Sequence, residues 1–294
     1  MRNLNKSITK VFSIFFILIF MVACEDAPPT DYIEDTYIEA LLIVNEPIQG
    51  IKVFSTQPLG QPYIEESSLI KNAIVKITAE DEEPIVLSYS SEEPIGYFNE
   101  NNDYFVEEKT KYYLEVTLPN GNIITGETTT PKSFNWIEEP KDTIYFPEDT
   151  LNYEDYEKFS VSWDQDDANE NFLVSIKCLD TLNYGSYLLP PDLEDKNMRV
   201  PPYKEEYSNE MADYYYTNIN NVDVDIKLFK WFGIYEVFVY TIDYNYLRWY
   251  FQFTGSAYHD SQYDSVEGAV GVFGSASVIR KNVFLKKPMI LYQD

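Results

Sequence analysis

Few residues in this 294-residue chain have the types and spacing that chemistry requires. The clearest is Cys24, preceded by Met21-Val22-Ala23 and followed by Glu25-Asp26. Small Ala23 lets a peptidase approach the bond, and the thiol can supply a nucleophile for lipidation. The single histidine, His259, lies in the polar segment AYHDSQYD. A histidine-rich zinc site is therefore impossible, and a Ser-His-Asp triad would have to form where no nucleophile elbow exists. The 49 Asp and Glu residues make some close carboxylate pair inevitable, so none stands out as an acid/base dyad. In DQDDANEN, Asp164, Asp166 and Asn169 offer hard oxygens at short spacing. The sharp-turn glycine of a calcium loop is missing, and Ser175 stands where a bidentate glutamate belongs, so the stretch reads as a solvated loop. No catalytic residue, cofactor or metal ligand is nominated, and the expectation is a protein that is not an enzyme.

Aromatic side chains are the remaining candidates, at 16% of the chain with 26 Tyr. Trp163, Phe238 and Tyr240 lie on alternating stretches and are expected in a core. Tyr214, Tyr215 and Tyr216 are consecutive in a region without periodicity, so at least one ring should face solvent. With Trp231 they form the expected contact surface, suited to stacking a sugar or packing against a partner.

The N-terminus indicates a location. Arg2, Lys6 and Lys10 precede VFSIFFILIFMVA, the charge-then-hydrophobe order of a secretory signal. The apolar run of 13 residues is shorter than the ~20 that span a bilayer as a helix. Met21-Val22-Ala23-Cys24 resembles the lipobox of bacterial lipoproteins, which makes residues 1–23 a signal peptide and Cys24 the lipidated first residue of the mature chain. Three acyl chains, at about 0.8 kcal/mol per buried methylene, would anchor it permanently. Residues 24–34, with Pro28 and Pro29, read as a stiff polar tether. Loss of the leader removes three of 22 basic residues and leaves 49 acids, a formal charge of −30. Phosphate backbones would repel such a body, which excludes nucleic acid as a partner. Cys178 is the only other cysteine, so no intramolecular disulfide can form. It shares one strand face with Phe172, Val174 and Ile176 and should be buried.

The elements that must position these residues read as mainly β. The length suggests two domains, 35–131 and 132–294, each an immunoglobulin- or fibronectin-like β-sandwich. TYIEALLIVNE, GIKVFSTQP, NAIVKITAED and PIVLSYS are short runs punctuated by Pro, Gly and Asn. In KYYLEVTLPNGNIITGETTTP, alternation leads into Asn120-Gly121, which supplies left-handed backbone geometry for a hairpin. A second start at EKFSVSWDQ and FLVSIKC carries one inward Trp. Residues 181–221 show no sustained period and are expected to be an irregular excursion. DYNYLRWYFQF is the one expected helix, with Asp243 as its cap and Tyr246, Leu247, Tyr250 and Phe251 at helical spacing. The glycine-punctuated VEGAVGVFGSASV then leads into a closing strand.

The order of these segments, from IEALLIVNEPIQGIKVFSTQPLG through the hairpin and SVSWDQ to VEGAVGVFGSASV, resembles domain-of-unknown-function family 4249. That resemblance implies an outer-membrane lipoprotein of Bacteroidota, commonly encoded beside a TonB-dependent receptor and without assigned activity. Glu25 and Asp26 also look like the acidic export signals of such lipoproteins, which places the protein at the cell surface. The expected role is a non-enzymatic accessory or ligand-presenting partner of a TonB-dependent receptor. The alternative is a stand-alone carbohydrate- or peptide-binding lipoprotein.

Overall fold

The computed structural model describes residues 32–58, 62–101, 103–145, 159–165, 170–179, 211–224, 229, 233–253 and 264–286. The fold is mainly β, as expected. In chain order the strands are β1 Thr36–Ile43, β2 Lys52–Ser55, β3 Ile74–Ala79, β4 Ile85–Ser90, β5 Gly96–Phe98, β6 Lys111–Thr117, β7 Ile123–Thr129, β8 Trp136–Glu138 and β9 Thr143–Tyr145. They continue as β10 Phe159–Trp163, β11 Phe172–Cys178, β12 Met211–Thr217, β13 Asn221–Val224, β14 Gly233–Ile242, β15 Val266–Glu267 and β16 Val270–Lys286. Two helices, α1 Glu65–Ser68 and α2 Tyr244–Phe253, complete the described elements. Neither is long and apolar enough to cross a membrane.

Three sheets result. The first runs β15-β7-β6-β3-β4-β5, the second β13-β10-β8, and the third β12-β11-β14-β16-β1-β2, with β9 also paired to β16. The first depends on the β6–β7 hairpin, in which Thr117 lies opposite Ile123. Its turn differs in detail from the expectation. Gly121 alone takes positive φ, at 88°, while the Asn120 side chain accepts a hydrogen bond from the Asn122 N–H at 2.9 Å. An Asx-type turn thus replaces a second left-handed residue.

β16 determines the architecture. Its 17 residues, about 55 Å at ~3.3 Å per residue, are far more than a typical strand of five or six. Val270 to Ala276 pair in parallel with β1, and Ala276 to Leu285 pair antiparallel with β14. The third sheet therefore forms one layer of two sandwiches. In the first, Ile38, Leu42, Val53 and Phe273 meet Val75, Ile77, Leu114 and Val116 of the first sheet. In the second, Val174, Ile176, Val237 and Leu285 meet Phe159, Val161, Trp163 and Val222. Trp163 is fully buried, edge-to-face on Phe172 at 5.2 Å, and Cys178 is buried in the same core, both as expected. On the opposite face of the shared sheet, Leu247, Tyr250 and Phe251 of α2 cover Leu173, Phe238, Tyr240 and Ala276.

The pairing modifies two readings of the sequence. The boundary at residue 131 is not a break between two separately closed sandwiches, because β1 takes its parallel partner from the C-terminal end of the chain. Long-range pairing of this kind leaves no local pattern. Within the stretch 181–221, expected to be irregular, Met211 to Thr217 form a strand at the sheet edge against β11. Three consecutive Tyr show no alternation, so only the partner strand reveals it.

Gly271 has φ of 127°, and a Cβ there would stand 2.0 Å from the Ile38 carbonyl oxygen. Its hydrogen atom is what lets β1 and β16 approach.

Candidate functional site

The described residues converge most on the start of α2, where it meets β7 and β16. Asp243 leaves β14 with its backbone N–H donating to the Ser275 carbonyl at 2.9 Å. Its side chain then caps the helix: Oδ1 accepts from the Tyr246 N–H at 2.9 Å and the Ser275 N–H at 3.1 Å. The other oxygen, Oδ2, accepts from the Thr128 hydroxyl at 2.7 Å. Thr128 and Ser275 hydroxyls lie 2.8 Å apart, and Ser275 Oγ donates to the Thr129 carbonyl at 3.0 Å. Asn245 Nδ2 donates to the Glu127 carbonyl at 2.7 Å and the Phe273 carbonyl at 3.0 Å. One carboxylate and one amide thus tie the helix to both of the larger sheets. Gly274 makes room for this, since a Cβ there would lie 3.0 Å from Tyr246 Cβ and 3.1 Å from Asp243 Oδ1.

Burial raises the Asp243 pKa above the ordinary carboxylate value, and its hydrogen bonds from Tyr246, Thr128, Ser275 and Asn245 only partly oppose that shift. With both oxygens engaged, Asp243 is a structural acceptor and is not positioned as a general base. A second tie joins the helix to β1: Trp249 Nε1 donates to the Tyr37 hydroxyl at 3.0 Å. Burial pushes Tyr37 up to about 12.

Against this node opens a pocket of about 270 Å³ lined by Lys111, Glu127, Thr128, Asp243, Tyr244 and Asn245. Lys111 Nζ pairs with Glu127 Oε2 at 2.8 Å and stands 5.2 Å from the Tyr113 ring centroid. Its bond to Glu127 holds the ammonium above the usual lysine value. Tyr244, first residue of the helix, is 68% exposed, and the Arg248 guanidinium lies 5.1 Å from its ring centroid. The pocket therefore offers an aromatic ring, a paired cation and anion, and an amide held in place. Its described lining contains no histidine or thiol, and its one hydroxyl–carboxylate contact, Thr128 to Asp243, belongs to the network that seats the helix. Among the described residues no group of three or more His, Cys, Asp or Glu could hold a metal ion.

The sequence-derived candidates are distributed elsewhere. Cys24, Trp231 and His259 lie outside the described residues, as do Asp166 and Asn169 of the acidic loop. Asp164 is committed to the fold, its Oδ1 accepting from the Asn135 N–H at 2.7 Å. Tyr214, Tyr215 and Tyr216 lie on β12, and the side chains of the first two are outside the described set. Tyr216 is half-buried, edge-to-face on Phe251 at 5.1 Å, with its hydroxyl donating to Asn171 Oδ1 at 3.0 Å. That ring packs the helix onto the sheet. Sequence reasoning found Asp243 as a cap but missed Lys111, Glu127, Tyr244 and Asn245. Hairpin register alone could have flagged the first two as diagonal neighbours, whereas their meeting with α2 is tertiary.

Comparison with known proteins gives one finding of family. The family model described as Domain of unknown function (DUF4249) matches residues 28–282. No curated protein matches the chain.

Proposed function

Since the chain belongs to the DUF4249 family, matched over 28–282, we propose that it is a non-enzymatic, surface-exposed outer-membrane lipoprotein that serves a TonB-dependent receptor as accessory or ligand-presenting partner. The observation that carries this reading is the Arg2-to-Cys24 segment, with its basic start, short apolar run and lipobox-like end. A permanently anchored and strongly anionic body suits a role at a membrane protein better than one on nucleic acid. The node at Asp243 supports a binding role over a catalytic one, since its acid is consumed in holding elements together.

The test has two readouts. Mass spectrometry of the mature N-terminal peptide should find a diacylglycerol thioether on Cys24, and Cys24→Ala should release the protein from the membrane fraction. Affinity capture from detergent-solubilised outer membranes at native expression should recover a barrel receptor. An unmodified N-terminus, or capture without a receptor, would refute the corresponding half.

A stand-alone carbohydrate- or peptide-binding lipoprotein is the second reading. The pocket beside Tyr244 is the observation that favours it.

A further inference from the structure

We propose that the pocket at the start of α2 binds a neutral sugar, with the exposed Tyr244 ring as its stacking platform. Three features on one surface support this class. The first is the ring itself. Tyr244 keeps 68% of its surface exposed while occupying the first position of a helix whose next residues are anchored, so its backbone is fixed; the Arg248 guanidinium stands over one face of the ring, and a ligand would take the other. The apolar C–H face of a pyranose covers such a ring, and its hydroxyls need polar partners around the rim.

The second feature is the rim. Lys111 and Glu127 present a donor and an acceptor already joined at 2.8 Å, so they can bridge vicinal hydroxyls without either charge needing a counter-ion from the ligand. Asn245 lends an amide whose Nδ2 is fixed by two backbone carbonyls, which pre-orients its oxygen. Pre-organised donors and acceptors reduce the ordering cost of binding a small polar molecule.

Size and charge are the third. About 270 Å³ is at the small end of ligand pockets and suits one sugar ring better than an extended peptide. Lys111, the basic residue of the described lining, is neutralised by its partner, and the second nearby cation, Arg248, lies over the Tyr244 ring; the chain carries a formal charge of −27, so an anion gains little there. A neutral polyhydroxylated ligand is what these groups complement. The ligand class rests on the ligand-presenting reading, yet its test is separate, because a receptor can be captured whether or not this pocket binds sugar.

The experiment is saturation-transfer difference NMR on the full mature lipoprotein, held in a detergent without a sugar head group. Glucose, galactose, mannose and N-acetylglucosamine are offered in turn at about 10 mM, tenfold above a 1 mM dissociation constant. At least one should receive saturation at its ring C–H protons. Tyr244→Ala should reduce that signal about tenfold, and Glu127→Gln should reduce it severalfold. Both side chains are mostly exposed, so thermal unfolding of the variants should match the parent. Should Tyr244→Ala unfold early, Glu127→Gln carries the test alone. No transfer to any of the four sugars, or an undiminished signal in a folded Tyr244→Ala or Glu127→Gln variant, would overturn the proposal.

Discussion

Asp243 shows how much one side chain can carry in this fold. It caps α2, accepts from β7 through Thr128 and from β16 through Ser275. Asp243→Ala should cost about 1–3 kcal/mol in urea unfolding, a lost cap plus donors left buried without an acceptor. The pH dependence has a definite sign. Its folded-state pKa is raised above the ordinary 3.8, so the native state holds the proton more tightly than the unfolded chain. The stability it contributes is complete below the unfolded value and declines as pH rises through the folded one. The stability difference between the parent and Asp243→Asn should therefore shrink as pH rises above the ordinary carboxylate value, as followed by urea titration at each pH. A difference that grows with pH would contradict the assignment. Trp163 offers a cleaner packing test: fully buried on Phe172, it should cost about 3–5 kcal/mol as Trp163→Ala.

Among the elements, β16 and α2 place the site. Gly271→Ala would set a methyl 2.0 Å from the Ile38 carbonyl oxygen in a backbone conformation hostile to L side chains. The β1–β16 ladder would have to part, and a loss of about 2–4 kcal/mol in urea unfolding is expected. Gly274→Ala meets Tyr246 Cβ, Asp243 Oδ1 and the Tyr246 backbone nitrogen at 3.0–3.2 Å, so α2 has to shift by a few tenths of an ångström. About 1–3 kcal/mol should be lost, with a change in near-ultraviolet circular dichroism from Tyr246 and Trp249, whose rings lie 5.2 Å apart. An unchanged spectrum would mean that the helix is not seated on β16 as described.

At the scale of the whole molecule, two cores share one continuous sheet. Phe273 belongs to the first core while Val283 and Leu285, on the same strand, belong to the second. Unfolding in urea should accordingly be a single transition by fluorescence and far-ultraviolet circular dichroism, although the chain is long enough for two domains. Two separated transitions would show that the strand does not couple the cores. A fragment of residues 32–131 should remain unfolded, since it lacks the parallel partner of β1 and the Phe273 side chain.

Residue order by itself determined the features that act over a few positions. The alternation of Tyr112, Leu114 and Val116, the cap at Asp243, the inward Trp163 and the buried Cys178 follow from side-chain period and turn residues. The expectation of a leader ending at Cys24 likewise rests on local sequence alone. Tertiary structure decided what distance along the chain hides: that Val270 lies beside Tyr37, that Met211 to Thr217 is an edge strand, and that Lys111, Glu127, Tyr244 and Asn245 share one pocket. Those neighbours are brought together by burying apolar faces from both ends of the chain, and the energy of that burial belongs to the assembled sheets. No window of sequence contains it.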